Sequence, residues 1–190
     1  GVGKTASAKA LADYFFGKGQ KRSPLIRIDM SEFQHPSQIA RFIGTGNQVG
    51  KLVQEIRERP FSVLLLDEVE KAAPTIFDAL LTVLDEGMMV DAYGRITNFR
   101  NTIIIMTTNL GASNQQSLGF NTKIDEESAF LAAIGNYFRP EFVNRIDTVV
   151  SFNALSQKDI RAITIKELND LKKREGIVKK HLTLTFTDAL

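Results

Sequence analysis

Four short apolar runs, none alternating with polar residues, constrain this chain more than any other feature. They are Leu25-Ile26-Arg27-Ile28-Asp29-Met30, Phe61-Ser62-Val63-Leu64-Leu65-Leu66, Thr102-Ile103-Ile104-Ile105-Met106-Thr107 and Thr148-Val149-Val150-Ser151-Phe152. Runs of β-branched and aliphatic residues without alternation read as strands buried on both faces, as in a parallel sheet covered by helices. Amphipathic stretches separate them. Residues 5–16 are Ala-rich and stop at Gly17, and residues 48–59 place Leu52, Val53 and Ile56 on one face before Pro60. Residues 74–86 begin at Pro74 and end at Gly87, and residues 126–138 bring Phe130, Ile134, Tyr137 and Phe138 together. The alternation of strand and helix predicts an α/β domain.

Near Asn153 the composition shifts. Residues 156–173 predict a charged amphipathic helix with Ser156 as its N-cap, residues 182–186 alternate like a half-buried strand, and residues 187–190 open a further helix. The expected division is therefore a large α/β nucleotide-binding subdomain over 1–153 and the beginning of a helical lid over 154–190.

Composition narrows the function classes. A chain of 190 residues with 43% hydrophobic and 24% charged residues has ordinary globular content and can bury a sizeable core. The absence of cysteine removes disulfides, thiol catalysis and thiolate-held metals, and fits a reducing, cytoplasmic compartment. No apolar run reaches the ~18 residues of a membrane span, and no basic, hydrophobic leader is expected. A net charge of +2 gives no electrostatic case for nucleic acid.

The chain opens on Gly1-Val2-Gly3-Lys4-Thr5, the second half of the pattern G-x-x-x-x-G-K-[ST]. Glycines let backbone N–H groups turn inward around phosphate oxygens, and the following helix aims its positive end at that charge. Gly1, Val2, Gly3, Lys4, Thr5 and Ala6 form the expected nucleotide cradle. Lys4 is expected to reach the β- and γ-phosphates of ATP, and the Thr5 hydroxyl to ligate Mg2+. A glycine turn before an Ala-rich helix is the bland alternative.

Val63-Leu64-Leu65-Leu66-Asp67-Glu68 adds a buried strand ending in two acids, at the crevice where α/β folds bind ligands. Asp67 is expected to hold Mg2+ through water, and Glu68 to act as general base on the attacking water. Capping of the next helix does not explain the pair, because Pro74 starts that helix several residues later. Asn109 follows the third run and is suited to orienting the lytic water, although an Asn in a post-strand turn is also common for local reasons.

With these stretches the chain resembles the AAA+ module of the Clp unfoldases, specifically the second, C-terminal ATPase ring of ClpB-, ClpC- and ClpA-type proteins. The resemblance also rests on Arg27 to Phe33, Leu65 to Ala72, Gly94-Arg95, Phe99 to Thr102, Thr108 to Gly111, and Phe138 to Asp147. It implies a P-loop fold with a parallel five-stranded sheet between helices, whose central strand lies before Gly1, and a small α-helical lid with a further arginine beyond Leu190. The sequence is thus expected to be a fragment of a longer chain. The resemblance further implies a homo-hexamer that couples ATP hydrolysis to threading unfolded or aggregated protein. It gives Asn109 the role of sensor and Arg145 that of an arginine finger reaching the neighbouring subunit's ATP, with Arg139 a second candidate.

Two segments stand out against that family. Its aromatic pore loop corresponds to Gly44-Thr45-Gly46-Asn47-Gln48-Val49-Gly50, which is shorter and holds Gln48 about where the aromatic belongs. Tyr93, in a predicted hairpin over 88–99, is the nearest alternative aromatic, or else packs its own turn. Leu118-Gly119-Phe120 is similar in pattern and place to the loop that docks a ClpP-like peptidase, or else tucks onto the domain. Two other functions compete: an AAA+ loader or switch acting on nucleic acid, and a non-threading ring scaffold.

Overall fold

The computed structural model describes residues 2–17, 23–46, 48–91, 93–110, 126–173 and 179. The chain divides into a larger unit running from Gly3 to Ser151 and a second from Phe152 onward, with which Val2 groups.

The larger unit is built on three parallel strands, β1 (Leu25–Asp29), β4 (Ser62–Asp67) and β7 (Thr102–Met106), in the order β1-β4-β7. The register sets Ile28 beside Leu66 and Val63 beside Ile103. Three of the four runs therefore form the expected parallel sheet. Every residue of the central β4 is buried, as a strand covered on both faces requires. Leu64, Leu65 and Leu66 are each fully buried, worth about 1.5–3 kcal/mol apiece against exposure. β7 pairs on one side only among the described residues and is half-buried along its length.

Helix α1 (Lys4–Phe16) packs on β1 and β4 through its buried Ala8 and Ala12, whose small side chains allow close approach. Helix α4 (Pro74–Glu86) has the bounds the sequence predicts. Pro74 opens it, where no N–H is needed, and Gly87 closes it at φ 65°. Its Ile76, Phe77, Leu80 and Val83 are buried. Phe77 meets Phe138 and Phe142 edge-on, at 5.3 and 5.1 Å between ring centroids. Phe138 directly follows α5 (Glu126–Tyr137), and Phe142 lies within α6 (Pro140–Val143).

Two expectations fail. Residues 148–152 form no strand, and Val150 and Phe152 are 66% and 41% exposed. An extended run holds as a strand only when a neighbour takes its N–H and C=O groups, and no described strand pairs with it. The helix expected over 48–59 starts later, as α3 (Lys51–Glu58). Gln48–Val49 instead forms β3, which pairs with β2 (Gly44–Thr45) after the short α2 (Ile39–Ile43). Gly50 makes this possible: a Cβ there would stand 2.2 Å from the Ile43 carbonyl carbon and 2.3 Å from the Gly44 nitrogen.

The predicted hairpin is present as β5 (Met88–Val90) and β6 (Ile96–Asn98). Asp91 organises its turn, accepting from the Tyr93 and Arg95 amides at 3.0 Å each, from Arg95 Nε at 2.7 Å and from Arg57 of α3 at 3.1 Å. Burial pushes the Asp91 carboxyl up, but these donors together hold it down at about 2. Tyr93 is 61% exposed, with the Arg95 guanidinium 5.1 Å from its ring centre.

In the second unit, α7 (Gln157–Lys172) starts as expected. Ser156 and Asp159 cap it reciprocally, and the Ser156 hydroxyl and amide hold the Asp159 carboxyl below its ordinary range. The strand expected over 182–186 and the helix over 187–190 lie outside the described residues, as does Leu118-Gly119-Phe120. No helix among the described residues is long and apolar enough to cross a membrane.

Candidate nucleotide site

The carboxyl ends of β4 and β7 and the amino end of α1 converge. Gly3 enters α1 in the left-handed region, at φ 96°, where a glycine meets no steric penalty, and no side chain among the described residues caps that end. A 13-residue helix beginning in this way directs N–H groups and partial positive charge outward, which suits an anion. Lys4 occupies its first turn, and its Nζ donates to the Thr108 carbonyl and to Asn109 Oδ1, each at 2.6 Å. Thr5 is half-buried beside it and Ala6 is exposed. Gly1 lies outside the described residues.

Asp67 ends β4 and is buried. Its Oδ2 accepts from Arg27 Nε and a terminal guanidinium nitrogen, at 2.9 and 2.5 Å, while Thr107 Oγ1 donates to its Oδ1. Glu68 turns away at once. It is the only non-glycine residue with positive φ among those described, at φ 58° and ψ 52°. Its amide donates to Thr107 Oγ1 at 3.1 Å. That left-handed step costs a non-glycine residue on the order of 1 kcal/mol. It separates the neighbouring acids: Asp67 stays among its partners, while Glu68 is half-buried at the strand end. The next amide, of Val69, donates to the Thr107 carbonyl at 2.9 Å, so the turn is fastened across the end of β7.

Lys4, Asp67, Glu68 and Asn109 are thus brought to one end of the sheet. Arg145 and Arg139 are not joined to that group. Arg145 is exposed after α6 and ion-paired with Asp85 of α4. Arg139 pairs with Asp78 of α4 and, at 3.4 Å, with Glu141. The Asp78 hydrogen bond is the main reason its guanidinium is raised above its ordinary value.

Three residues of this end were not singled out by the sequence reading. Arg27 had a visible signal, a lone cation inside an apolar run. Thr107 and Glu70 had none, because a threonine at a strand end and a third acid after Asp67-Glu68 look like ordinary polar termini.

The donor set suits a hard divalent cation carried by a nucleotide. Mg2+ takes oxygen ligands, commonly one or two from carboxylates, with phosphate and water supplying the rest. Thr5 and Asp67 offer such oxygens, and no cluster of three or more His, Cys, Asp or Glu occurs among the described residues. Both Asp67 oxygens already accept protein hydrogen bonds, which favours contact through water.

A model of the AAA domain (Cdc48 subfamily) matches residues 1–149. The chain is 42% identical over 193 residues to the chaperone protein ClpB of Pseudomonas putida, covering 98% of this chain and 22% of that protein. It is 39% identical over 204 residues to the negative regulator of genetic competence ClpC/MecB of Bacillus subtilis, covering 100% of this chain and 25% of that protein. Among solved structures, a closed-state reconstruction of Hsp104 with ATPγS and FITC casein superposes with a TM-score of 0.77 at 36% identity. That match covers 92% of this chain and 31% of the other. The Saccharomyces cerevisiae Hsp104–ADP complex gives 0.75 at 36% identity, with the same coverage. The chain spans about a quarter or less of these two curated relatives.

Proposed function

Because the chain belongs to the AAA domain family (Cdc48 subfamily), as an AAA+ module of Clp type, we propose that it hydrolyses ATP to ADP and phosphate within a hexameric protein unfoldase or disaggregase. The observation that carries this reading is the Lys4–Asn109 contact at the strand ends that hold Asp67 and Glu68. The relatives support it by name: ClpB is called a chaperone, and one Hsp104 structure was determined with casein.

In this reading Lys4 and the α1 amino end bind the phosphates, and Thr5 and Asp67 hold Mg2+, which supplies Lewis-acid charge to the phosphate oxygens. Glu68 accepts a proton from water as its oxygen bonds to the γ-phosphorus and the bond to the β-phosphate oxygen breaks, releasing ADP. Asn109 orients that water. Arg145 acts on the neighbouring subunit's ATP, exchanging its own-chain Asp85 for a trans contact. Residues 1–153 serve as the nucleotide-binding subdomain and 154–190 as the start of a lid. The protein works in the cytoplasm on unfolded or aggregated polypeptide, and residues 118–120 supply the contact to any peptidase ring.

The test is Glu68→Gln in the full-length protein, with ATP turnover and retention of an unfolded substrate both measured. Binding of ATP with loss of turnover and trapping of the polypeptide is expected. Normal turnover rejects Glu68 as base, and ATPase stimulation by DNA but not by unfolded protein would favour a nucleic-acid loader.

A further inference from the structure

We propose that Glu70 is a positioning residue for phosphoryl transfer, holding the Asn109 backbone so that its amide side chain is presented to Lys4 and the phosphate site. The proposal rests on the ATPase reading above. Glu70 lies in the 3-10 turn Val69–Lys71, directly after the left-handed Glu68. Its Oε1 accepts from the Asn109 amide at 3.1 Å, and Asn109 Oδ1 accepts from Lys4 Nζ at 2.6 Å. On the other side, the Glu70 carbonyl accepts from the Tyr137 hydroxyl of α5. One path of hydrogen bonds therefore runs from α5 through Glu70 and Asn109 to the first turn of α1.

The second carboxylate oxygen, Oε2, is buried and has no hydrogen-bond partner among the described residues. Leaving a buried polar oxygen unpaired is costly, and tethering one loop amide needs only a neutral acceptor. What Glu70 contributes is reach. Its two methylenes carry an acceptor from the turn after β4 to the turn after β7. Asn109 is exposed and its loop follows the end of the strand, so this bond holds its backbone while Lys4 holds its side chain. Misplacement of a positioning group by about 1 Å is enough to cost up to about 100-fold in rate.

Two substitutions separate reach from charge. Glu70→Gln keeps the length and an acceptor oxygen; Glu70→Asp keeps the charge but is one methylene too short. Steady-state ATPase of the full-length protein is measured with melting temperature recorded alongside. Glu70→Asp is expected to lose about 10- to 100-fold in kcat with KM for ATP nearly unchanged, whereas Glu70→Gln stays near wild type. The Glu70→Asp/Asn109→Ala double variant is expected to be no slower than Asn109→Ala alone, because both changes remove one function. Glu70→Asp matching or exceeding Glu70→Gln in kcat, or rate losses that multiply in the double variant, overturns the proposal. An inactive wild-type protein would instead overturn the ATPase reading beneath it.

Discussion

Lys4 donates to the Asn109 side-chain oxygen at 2.6 Å, although 105 positions separate them in the chain. This contact keeps the ammonium paired and aimed at the strand ends. A bound γ-phosphate offers the same ammonium an acceptor of opposite charge, which attracts it more strongly than the neutral amide oxygen of Asn109. Lys4→Ala is therefore expected to weaken ATP binding by about 1.5–3 kcal/mol, or some 10- to 100-fold in Kd. Titration with a fluorescent ATP analogue reads this directly, and unaltered affinity would show that the lysine serves only its own loop.

Arg145 pairs with Asp85 within its own chain and is exposed on a turn after α6. A trans role requires that pair to open on assembly. Arg145→Ala should leave nucleotide affinity of the isolated subunit intact and lower ATPase of the assembled ring by about 1000-fold. Mixing it with Glu68→Gln subunits should restore turnover only where an intact Arg145 faces an intact Glu68. Equal ATPase in wild-type and Arg145→Ala rings would assign the arginine to its intrachain ion pair alone.

The hairpin turn carries a signature in acid. The Asp91 carboxyl titrates at about 2 in the fold, against about 3.9 in an unfolded chain. Because the folded value is depressed, its contribution is complete above about pH 5 and is lost as pH falls from there towards 2. Urea midpoints measured at pH 7 and pH 3 should fall further for wild type than for Asp91→Asn, which has no proton to take up. Parallel loss in both proteins would place the acid sensitivity elsewhere.

Gly50 packs against backbone rather than flexible side chains, so an added methyl cannot be accommodated by a rotamer change. Gly50→Ala is expected to cost about 2 kcal/mol of stability. Chemical denaturation measures it, and a neutral result would show that the β2–β3 hairpin shifts freely.

Much of the fold was legible because it rests on local rules. The run from Val63 to Leu66 could only be a strand covered on both faces, and Pro74 and Gly87 mark the ends of α4 with the residue types those ends require. The phosphate motif and the acid pair pointed to Clp-type AAA+ modules, and family membership followed. What the sequence concealed was pairing. Residues 148–152 have strand composition, but composition does not supply a neighbour to bond with. Gln48 and Val49 look helical until Gly50 is seen to press against residues 42–44. Arg27 on Asp67, and Thr107 bridging Asp67 and the Glu68 amide, join residues about 40 positions apart that no spacing rule connects.

The left-handed backbone at Glu68 leaves two adjacent carboxylates with different tolerances. Asp67 is a fixed mount: lengthening it to Glu would push a charge into the space shared by Arg27 and Thr107, and the strand end would have to yield. Glu68, the general base in the proposed mechanism, takes its direction from its left-handed backbone. Shortening it to Asp should leave the fold intact and change only how far the proposed base extends. The chain reversal thus allows the site to be retuned at one acid without being rebuilt at the other.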